Sequence, residues 1–214
     1  MRCLLSLILL LLTIACTKYH VCTNTFVDSK AIPCGFPQGS SFDLISLNEE
    51  NPLFSKEIGF KIEKLLEGQG YSVLYKDRAD YHLEYDFHIE KSYGKTYVPS
   101  FVPGRTYISC GRFFNSRGRS SHFIGQTQIG GSTVYVPYRY SYYTREIALT
   151  VYNHSNDPVW QGCAVSSGKN SDLRAVADYL LVSLFDYFGE NTHQYVSTEI
   201  SAKNPTVLRL REDS

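Results

Sequence analysis

The clearest pattern of the chain is Ala79-Asp80-Tyr81-His82-Leu83-Glu84-Tyr85-Asp86-Phe87-His88-Ile89-Glu90. From Tyr81 onward, apolar or aromatic side chains alternate with His, Glu and Asp. Because successive side chains of a strand point to opposite faces, this period of two predicts a β-strand with one buried face and one wet face. Histidines and carboxylates on the wet face could in principle hold a divalent metal. Residues two apart on one strand are separated by about 6.6 Å, so chelation would need a second strand, and no metal site is predicted.

Two amphipathic helices are predicted, one before this strand in the sequence and one after it. Asn51 can cap the first, and Pro52 suits its first turn. Its apolar face is formed by Phe54, Ile58, Ile62, Leu65 and Leu66, and Gly68 and Gly70 end it. The second helix is predicted from about Asp172 to Phe188, with Ser171 as its cap and Gly189 as its end.

Further strands are predicted from shorter patterns. They cover 20–27, 41–47, 71–75, 143–153 and 159–165, and the last two form a hairpin. A tight hairpin is also expected at Gly130-Gly131, between the flanking segments 126–129 and 133–136.

The order of these elements predicts the fold class. One apolar stripe on each helix and one apolar face on the sheet are satisfied by an α+β two-layer sandwich, a mostly antiparallel sheet with two amphipathic helices on one face. The predicted organisation is a signal peptide at 1–15, a lead-in at 16–40, an α/β domain at 41–190 that contains an insert at 94–140, and a C-terminal tail at 191–214.

The composition limits the class of protein further. The chain has 214 residues, of which 43% are hydrophobic, enough for one packed domain. Twenty-one Lys and Arg balance twenty-one Asp and Glu, and this zero net charge argues against nucleic acid as a partner. Seventeen tyrosines favour strands. Coiled coil, collagen and polytopic membrane protein are excluded.

The N-terminus indicates export. Residues 4–14 are an apolar run that is too short to span a bilayer, which needs about 20 residues, and fits a signal peptide. The run ends in Thr13-Ile14-Ala15-Cys16, which resembles the lipobox of bacterial lipoproteins. The resemblance implies cleavage after Ala15 and lipidation of Cys16, with palmitate among the acyl groups. Because Thr17 replaces the Asp of an inner-membrane retention signal, we expect the outer membrane, facing the periplasm or the cell surface.

Four cysteines remain for pairing if Cys16 carries lipid, an even number in an oxidising compartment. Of the three possible pairings, Cys22–Cys34 with Cys110–Cys163 is preferred, because the first bridge closes a local loop that contains Pro and Gly. Without a Cys-x-x-Cys pair, or a Cys with a His at ligand spacing, these cysteines predict no metal.

The insert at 94–140 has an unusual composition. Between Lys91 and Arg145, both included, there is no Asp or Glu, but there are eight Lys or Arg residues and twelve aromatic residues. Arg pairs with phosphate or carboxylate, and Tyr stacks, so the insert predicts a surface for an anionic lipid, glycan or protein. The candidate residues are Arg105, Arg112, Arg117, Arg119 and Arg139. The alternative is a solvated loop whose arginines pair with carboxylates elsewhere in the chain.

Three motifs carry a family resemblance. They are Asn51-Pro52-Leu53 with the helix, Gly70-Tyr71 and Ala79-Asp80-Tyr81 that follow it; Asp157-Pro158-Val159-Trp160-Gln161-Gly162; and Ser171-Asp172-Leu173-Arg174. Over residues 40–92 and 143–190 the chain resembles an uncharacterised family of Gram-negative envelope lipoproteins that carries a domain of unknown function. The resemblance implies a small α/β envelope module that binds other envelope proteins. The insert, which that family often lacks or shortens, is the departure.

The function expected from these patterns is a membrane-anchored, non-enzymatic binding or assembly module. No Gly-x-Ser-x-Gly is present and the six histidines are scattered, so no catalytic residue, cofactor or metal is assigned. Two alternatives stay open. One is an enzyme that processes envelope glycan or lipid, and the other is a structural subunit that oligomerises through Tyr-rich strands.

Overall fold

A computed structural model describes residues 18–74, 78–102, 106–114, 120–128 and 130–212, with the backbone alone described from 102 to 128. The predicted signal peptide, Cys16 and Tyr75 lie outside the described residues. The elements are β1 (Lys18–Val27), β2 (Ser41–Ser46), α1 (Pro52–Gly68), β3 (Ser72–Val73), β4 (Tyr81–Val102), β5 (Thr106–Phe114), β6 (Ser120–Gln128), β7 (Ser132–Tyr152), β8 (Pro158–Gly168), α2 (Arg174–Phe185), β9 (Val196–Ser201) and α3 (Pro205–Glu212).

The chain forms two compact units. The first contains the residues up to Ser92 and from Tyr142 onward, and the second is Tyr93–Ser141. The second unit therefore coincides within one residue at each end with the insert at 94–140.

The main sheet is mixed, with the strand order β3-β2-β4-β7-β8-β1-β9. β2 runs parallel to both β3 and β4, whereas β8 is antiparallel to β7 and β1, and β1 is antiparallel to β9. The sheet is mixed because α1 is a crossover between β2 and β3, and a crossover returns the chain parallel. The registers given for β1, β7, β8 and β9 are antiparallel, as expected. The α+β class is confirmed, with three helices in the described residues.

The first helix forms as its pattern predicts. The Asn51 side chain accepts a hydrogen bond from the Phe54 N–H, and Pro52 occupies the first turn. The five apolar residues of the predicted face are all buried. Gly70 follows the helix with a φ of 88°, a left-handed conformation that glycine adopts without strain.

The second helix is shorter than its stripe predicts, because it begins at Arg174 and ends at Phe185. Ser171 is not its cap. The N-cap position is Leu173, which makes no side-chain capping bond, and Asp172 Oδ1 accepts from the Ala175 N–H at 3.3 Å instead. Every residue from Val176 to Phe185 is buried, so α2 is a central helix of the core.

The core lies within the first unit and is rich in aromatic residues. Phe36 packs edge-on against Phe42 and Tyr81, and Phe42 stacks on Tyr81. Phe188 contacts Phe42 at a tilt, and Trp160 packs edge-on against Phe188. The indole N–H of Trp160 donates to the Glu190 carbonyl at 3.1 Å. This Trp, 1% exposed, is therefore a packing residue.

The C-terminal segment is more ordered than a tail. β9 pairs along β1 from Lys18↔Ser201 to Thr23↔Val196, and α3 follows it. Val207 and Leu210 of α3 are 0% and 1% exposed. The prediction of a partly ordered tail at 191–214 is thus wrong for β9 and α3. Their few apolar residues are widely spaced and give little periodicity.

In the second unit, β5 and β6 form a two-stranded antiparallel sheet, with Thr106 opposite Gln128 and Phe114 opposite Ser120. The predicted hairpin at Gly130-Gly131 is wrong for the described strands, because β6, which precedes the two glycines, forms a two-stranded sheet with β5. Backbone pairing over nine residues outweighs the local turn signal.

Candidate functional site

The arginines predicted to bind an anion fall into three groups. Arg139 is exposed on β7. Arg112 lies on β5 opposite His122, with its backbone alone described. Arg105, Arg117 and Arg119 lie outside the described residues. Of these arginines, Arg139 is therefore the one whose side-chain surroundings are described.

Arg139 lines a groove within the second unit. The groove has a volume of about 490 Å³ and is lined by Tyr93, Lys95, Arg139, Tyr140 and Ser141. Tyr93 and Lys95 come from β4, and the other three residues come from β7, its neighbour in the sheet. The groove thus brings a Lys and an Arg from two distant parts of the sequence together with two Tyr rings.

Gly94 allows the Tyr140 ring to lie close to β4. A Cβ added to Gly94 would lie 2.3 Å from Cζ of Tyr140. The missing side chain therefore lets the Tyr140 ring lie directly over the β4 backbone, as aromatic rings do over glycines in neighbouring strands.

Further exposed aromatic rings lie along the same two strands. Tyr97, Phe101 and Tyr135 are 66–69% exposed, and Tyr138 is 53% exposed. The second unit contains no carboxylate side chain that could pair with Lys95 or Arg139 from within it.

Among the cysteine side chains that the structure describes, no pair forms a disulfide. Cys22, Cys34 and Cys163 are free thiols, and Cys110 lies on β5 with its backbone alone described. Cys22 is on the exposed side of β1, and Cys34 lies in the loop between the buried residues Ile32 and Phe36. Cys163 donates to Glu146 Oε1 at 3.2 Å. Burial, together with this carboxylate, raises the pKa of Cys163 to about 12, so its thiol is a poor nucleophile.

The polar face of β4 does not assemble a metal site in the part of the chain that the structure describes, where no group of three or more His, Cys, Asp or Glu residues could hold a metal ion. On this face, His82 lies close to a carboxylate of the neighbouring strand, with 3.6 Å between its Nδ1 and Oδ2 of Asp43. Asp86 Oδ1 is 3.5 Å from Asn48 Nδ2.

A buried ionic network is the main feature that sequence reasoning missed. Lys61 Nζ of α1 lies 2.7 Å from Asp178 Oδ1 of α2, and Arg211 Nε of α3 lies 3.1 Å from Asp178 Oδ2. Arg211 also donates to the Tyr179 hydroxyl at 2.9 Å. The sequence does carry a signal for this network, because a charged residue lies within the apolar stripe of each of the first two helices. These residues are Lys61 in α1 and Asp178 in α2. The network joins all three helices.

Glu57 extends the network to the surface. It lies 3.1 Å from Lys61 Nζ and accepts from Arg174 Nε at 2.8 Å. Burial raises the pKa of Glu57, but the hydrogen bonds from Arg174 and Lys61 outweigh it, and the pKa lies below its ordinary value. The charged side chains of this network pair with one another, which is the arrangement of a network that stabilises the packing of the helices.

The first unit thus combines a mixed seven-stranded sheet with three helices tied by an ionic network, and the second presents exposed aromatic and basic side chains. These features define an α+β domain. The chain belongs to the family described as Domain of unknown function (DUF4136), whose model matches residues 24–188. The match includes residues of both units and confirms the resemblance to a family that carries such a domain.

A distant neighbour is found among the solved structures. The chain is similar to a PDZ domain protein from Parabacteroides distasonis ATCC 8503, with 15% identity and a TM-score of 0.48. The similarity covers 92% of this chain and 42% of that one, so the chain spans less than half of that protein. No curated protein matches the chain. In the described residues, no helix has the length and hydrophobicity to cross a membrane.

Proposed function

We propose that this protein is a membrane-anchored envelope lipoprotein that acts as a non-enzymatic binding module. Lipidation of Cys16 would attach it to the outer membrane, and the second unit would bind an anionic partner. The observation that carries the binding role is the groove of Tyr93, Lys95, Arg139 and Tyr140, in a unit that contains no Asp or Glu.

The side chains of this groove suit an anionic ligand. A guanidinium and an ammonium can each donate charge-assisted hydrogen bonds to carboxylate or phosphate oxygens, and the aromatic rings offer a flat surface for stacking. The first unit supports this role as a scaffold. We propose that its helices cover one face of the sheet, as the alternating burial along β1 and β7 suggests.

A structural role as an oligomeric subunit is the second candidate, since the exposed Tyr97, Phe101, Tyr135 and Tyr138 could equally pack against a second copy. The two candidates differ in their response to salt. Binding by Lys95 and Arg139 weakens as salt screens the charges, whereas packing of aromatic rings does not.

The test of the binding role is a double substitution, Lys95→Gln with Arg139→Gln, in the full chain. Its matched control is Lys30→Gln with Arg78→Gln, which removes one exposed Lys and one exposed Arg from the first unit. Binding to polyglutamate and to an acidic polysaccharide is measured by titration at low and at physiological salt. We expect the first double variant to bind about tenfold more weakly or worse, because a hydrogen bond to a charged group contributes roughly 1.5–3 kcal/mol.

The control variant should bind like the unsubstituted chain. Equal losses in the two double variants would show that only net charge matters, and the groove would lose its role. Salt-insensitive, concentration-dependent oligomers with no polyanion binding would favour the structural subunit instead.

A further inference from the structure

The charges of the chain are divided between its two units. Tyr93–Ser141 contains six Lys or Arg and no Asp or Glu, whereas the rest of the chain contains fifteen Lys or Arg and twenty-one Asp or Glu. The zero net charge of the whole chain therefore combines a basic second unit with an acidic remainder. Surfaces of opposite sign on one protein allow its copies to attract one another.

Many carboxylates of the first unit share one face of its sheet. Along β1, β4 and β7, core residues such as Val21, Leu83 and Ile147 are fully buried, and the side chains between them point to the other face. The strand residues of that other face include six carboxylates, which define the acidic face: Asp43, Glu84, Asp86, Glu90, Glu146 and Glu199. Among the described strand residues of this face, the single Lys or Arg is Lys18, which pairs with Glu199 at 2.7 Å. The histidines of the face are His20, His82 and His88.

Two carboxylates near the middle of the acidic face bond to uncharged groups. Glu146 accepts from the Cys163 thiol at 3.2 Å, and Glu84 accepts from the Tyr152 hydroxyl. In the described part of the chain, neither carboxylate forms an ion pair with a base, and both side chains are partly exposed. The acidic face therefore presents negative charge that a basic partner can reach.

The second unit has the complementary chemistry. Its groove brings Lys95 and Arg139 together with the Tyr93 and Tyr140 rings. The guanidinium and the ammonium can donate charge-assisted hydrogen bonds to carboxylates, and the rings can pack on the stems of glutamate side chains. Because the unit contains no Asp or Glu, an acidic surface that approaches it meets no like charge.

We propose that the acidic face of one copy binds the groove of a second copy, with Glu84 and Glu146 as partners of Lys95 and Arg139. This rests on the proposed function, because it names the partner of the groove. A second copy is the occupant because the chain itself supplies a basic, aromatic surface of the required charge. Two different surfaces meet in this contact, so each pair of copies leaves one acidic face and one groove free, and association can continue into a ring or a filament.

The test uses two double variants of the full chain, each of which changes one side of the contact. The face variant, Glu84→Gln with Glu146→Gln, removes two charges from the acidic face. Glutamine keeps an oxygen that can accept the hydrogen bonds of the replaced carboxylates. The groove variant is Lys95→Gln with Arg139→Gln.

The matched control for the face variant is Glu63→Gln with Glu67→Gln, which removes two carboxylates of α1 that are outside the acidic face. Each chain is purified in excess nonionic detergent. A fluorescently labelled copy is titrated with an unlabelled copy at low and at physiological salt, and fluorescence anisotropy measures their association.

We expect the unsubstituted chain to associate, and to do so more weakly at physiological salt, because salt screens the charges. The face variant and the groove variant should each self-associate about tenfold more weakly or worse, since loss of one partner of a hydrogen-bonded charge pair is costly at an interface. The control variant should associate like the unsubstituted chain.

A mixture of the face variant with the groove variant should associate at least about fivefold more tightly than either variant alone. The face variant keeps an intact groove and the groove variant keeps an intact acidic face, so one complete contact can form between them. Restored association also shows that both variants are folded.

Three results would overturn the second copy as the partner. They are no association of the unsubstituted chain, an equal loss in the control variant, and a mixture that associates no better than its components. Salt-insensitive association would also overturn it, in favour of packing between aromatic rings.

Titration of the same preparations with polyglutamate separates this contact from the proposed function. Polyglutamate binding that the face variant retains and the groove variant loses, without self-association of the unsubstituted chain, refutes the second copy and leaves the binding role intact. An unsubstituted chain that binds neither polyglutamate nor a second copy refutes both.

Discussion

Asp178 lies in the middle of α2, 3% exposed, with each carboxylate oxygen engaged by a different helix. One oxygen accepts from Lys61 of α1 and the other accepts from Arg211 of α3. A buried ion pair contributes little net stability relative to apolar residues, because desolvation offsets its attraction. Removal of one partner is nevertheless costly, since the remaining charge stays buried. Asp178 is therefore the residue on which the helix arrangement depends most.

Asp178→Asn should lower the free energy of unfolding by about 3–5 kcal/mol, because it leaves the Lys61 ammonium buried without its closest carboxylate. Urea unfolding followed by circular dichroism measures this change. Asp186→Asn, just after the end of the same helix, is the control. Burial raises the pKa of Asp186, so loss of its charge removes no stabilising interaction. A cost for Asp178→Asn within about 1 kcal/mol of the control would show that the network is incidental.

At the scale of elements, the sequence pattern predicted a helix or strand correctly where one face of the element is exposed to solvent. The alternation at 81–90 and the stripe of α1 predicted the strand and the helix because buried and exposed positions alternate there. α2 is buried on nearly all sides, so its stripe did not mark its ends. The basic composition of residues 94–140 could also be recognised from the sequence. The ion pair of Asp178 with Arg211 joins positions 33 residues apart, which no local pattern shows.

The last helix tests how much a short, weakly patterned element contributes. Leu210 of α3 is 1% exposed and packs in the core, whereas Leu208, two residues earlier, is 44% exposed. We expect Leu210→Ala to cost about 2–5 kcal/mol and Leu208→Ala to cost less than about 0.5 kcal/mol. Paired urea unfolding curves of the two variants measure the difference. Costs below about 1 kcal/mol for both would mean that α3 is dispensable to the core.

For the whole molecule, the two units differ in how deeply their residues are buried. The buried hydrophobic core consists of residues before Ser92 and after Tyr142, all in the first unit. The described side chains at 93–101 and 130–141 are mostly exposed. Stability therefore resides in the first unit, and the proposed partner binding resides in the second.

Replacement of Tyr93–Ser141 by Asn-Gly tests this division directly. β4 and β7 run in opposite directions beside each other, because Glu84 bonds to Tyr152 and Lys91 lies over Tyr143. A two-residue turn can therefore join Ser92 to Tyr142. We expect the free energy of unfolding to change by less than about 1 kcal/mol, whereas the denaturant dependence falls because less surface is exposed on unfolding.

The shortened chain should also lose the groove's share of polyanion binding, falling to the level of the Lys95→Gln and Arg139→Gln double variant. Titration with polyglutamate measures this loss. Failure of the shortened chain to fold would show that the second unit contributes to stability, and unchanged polyglutamate binding by a folded shortened chain would show that the groove is not the binding site.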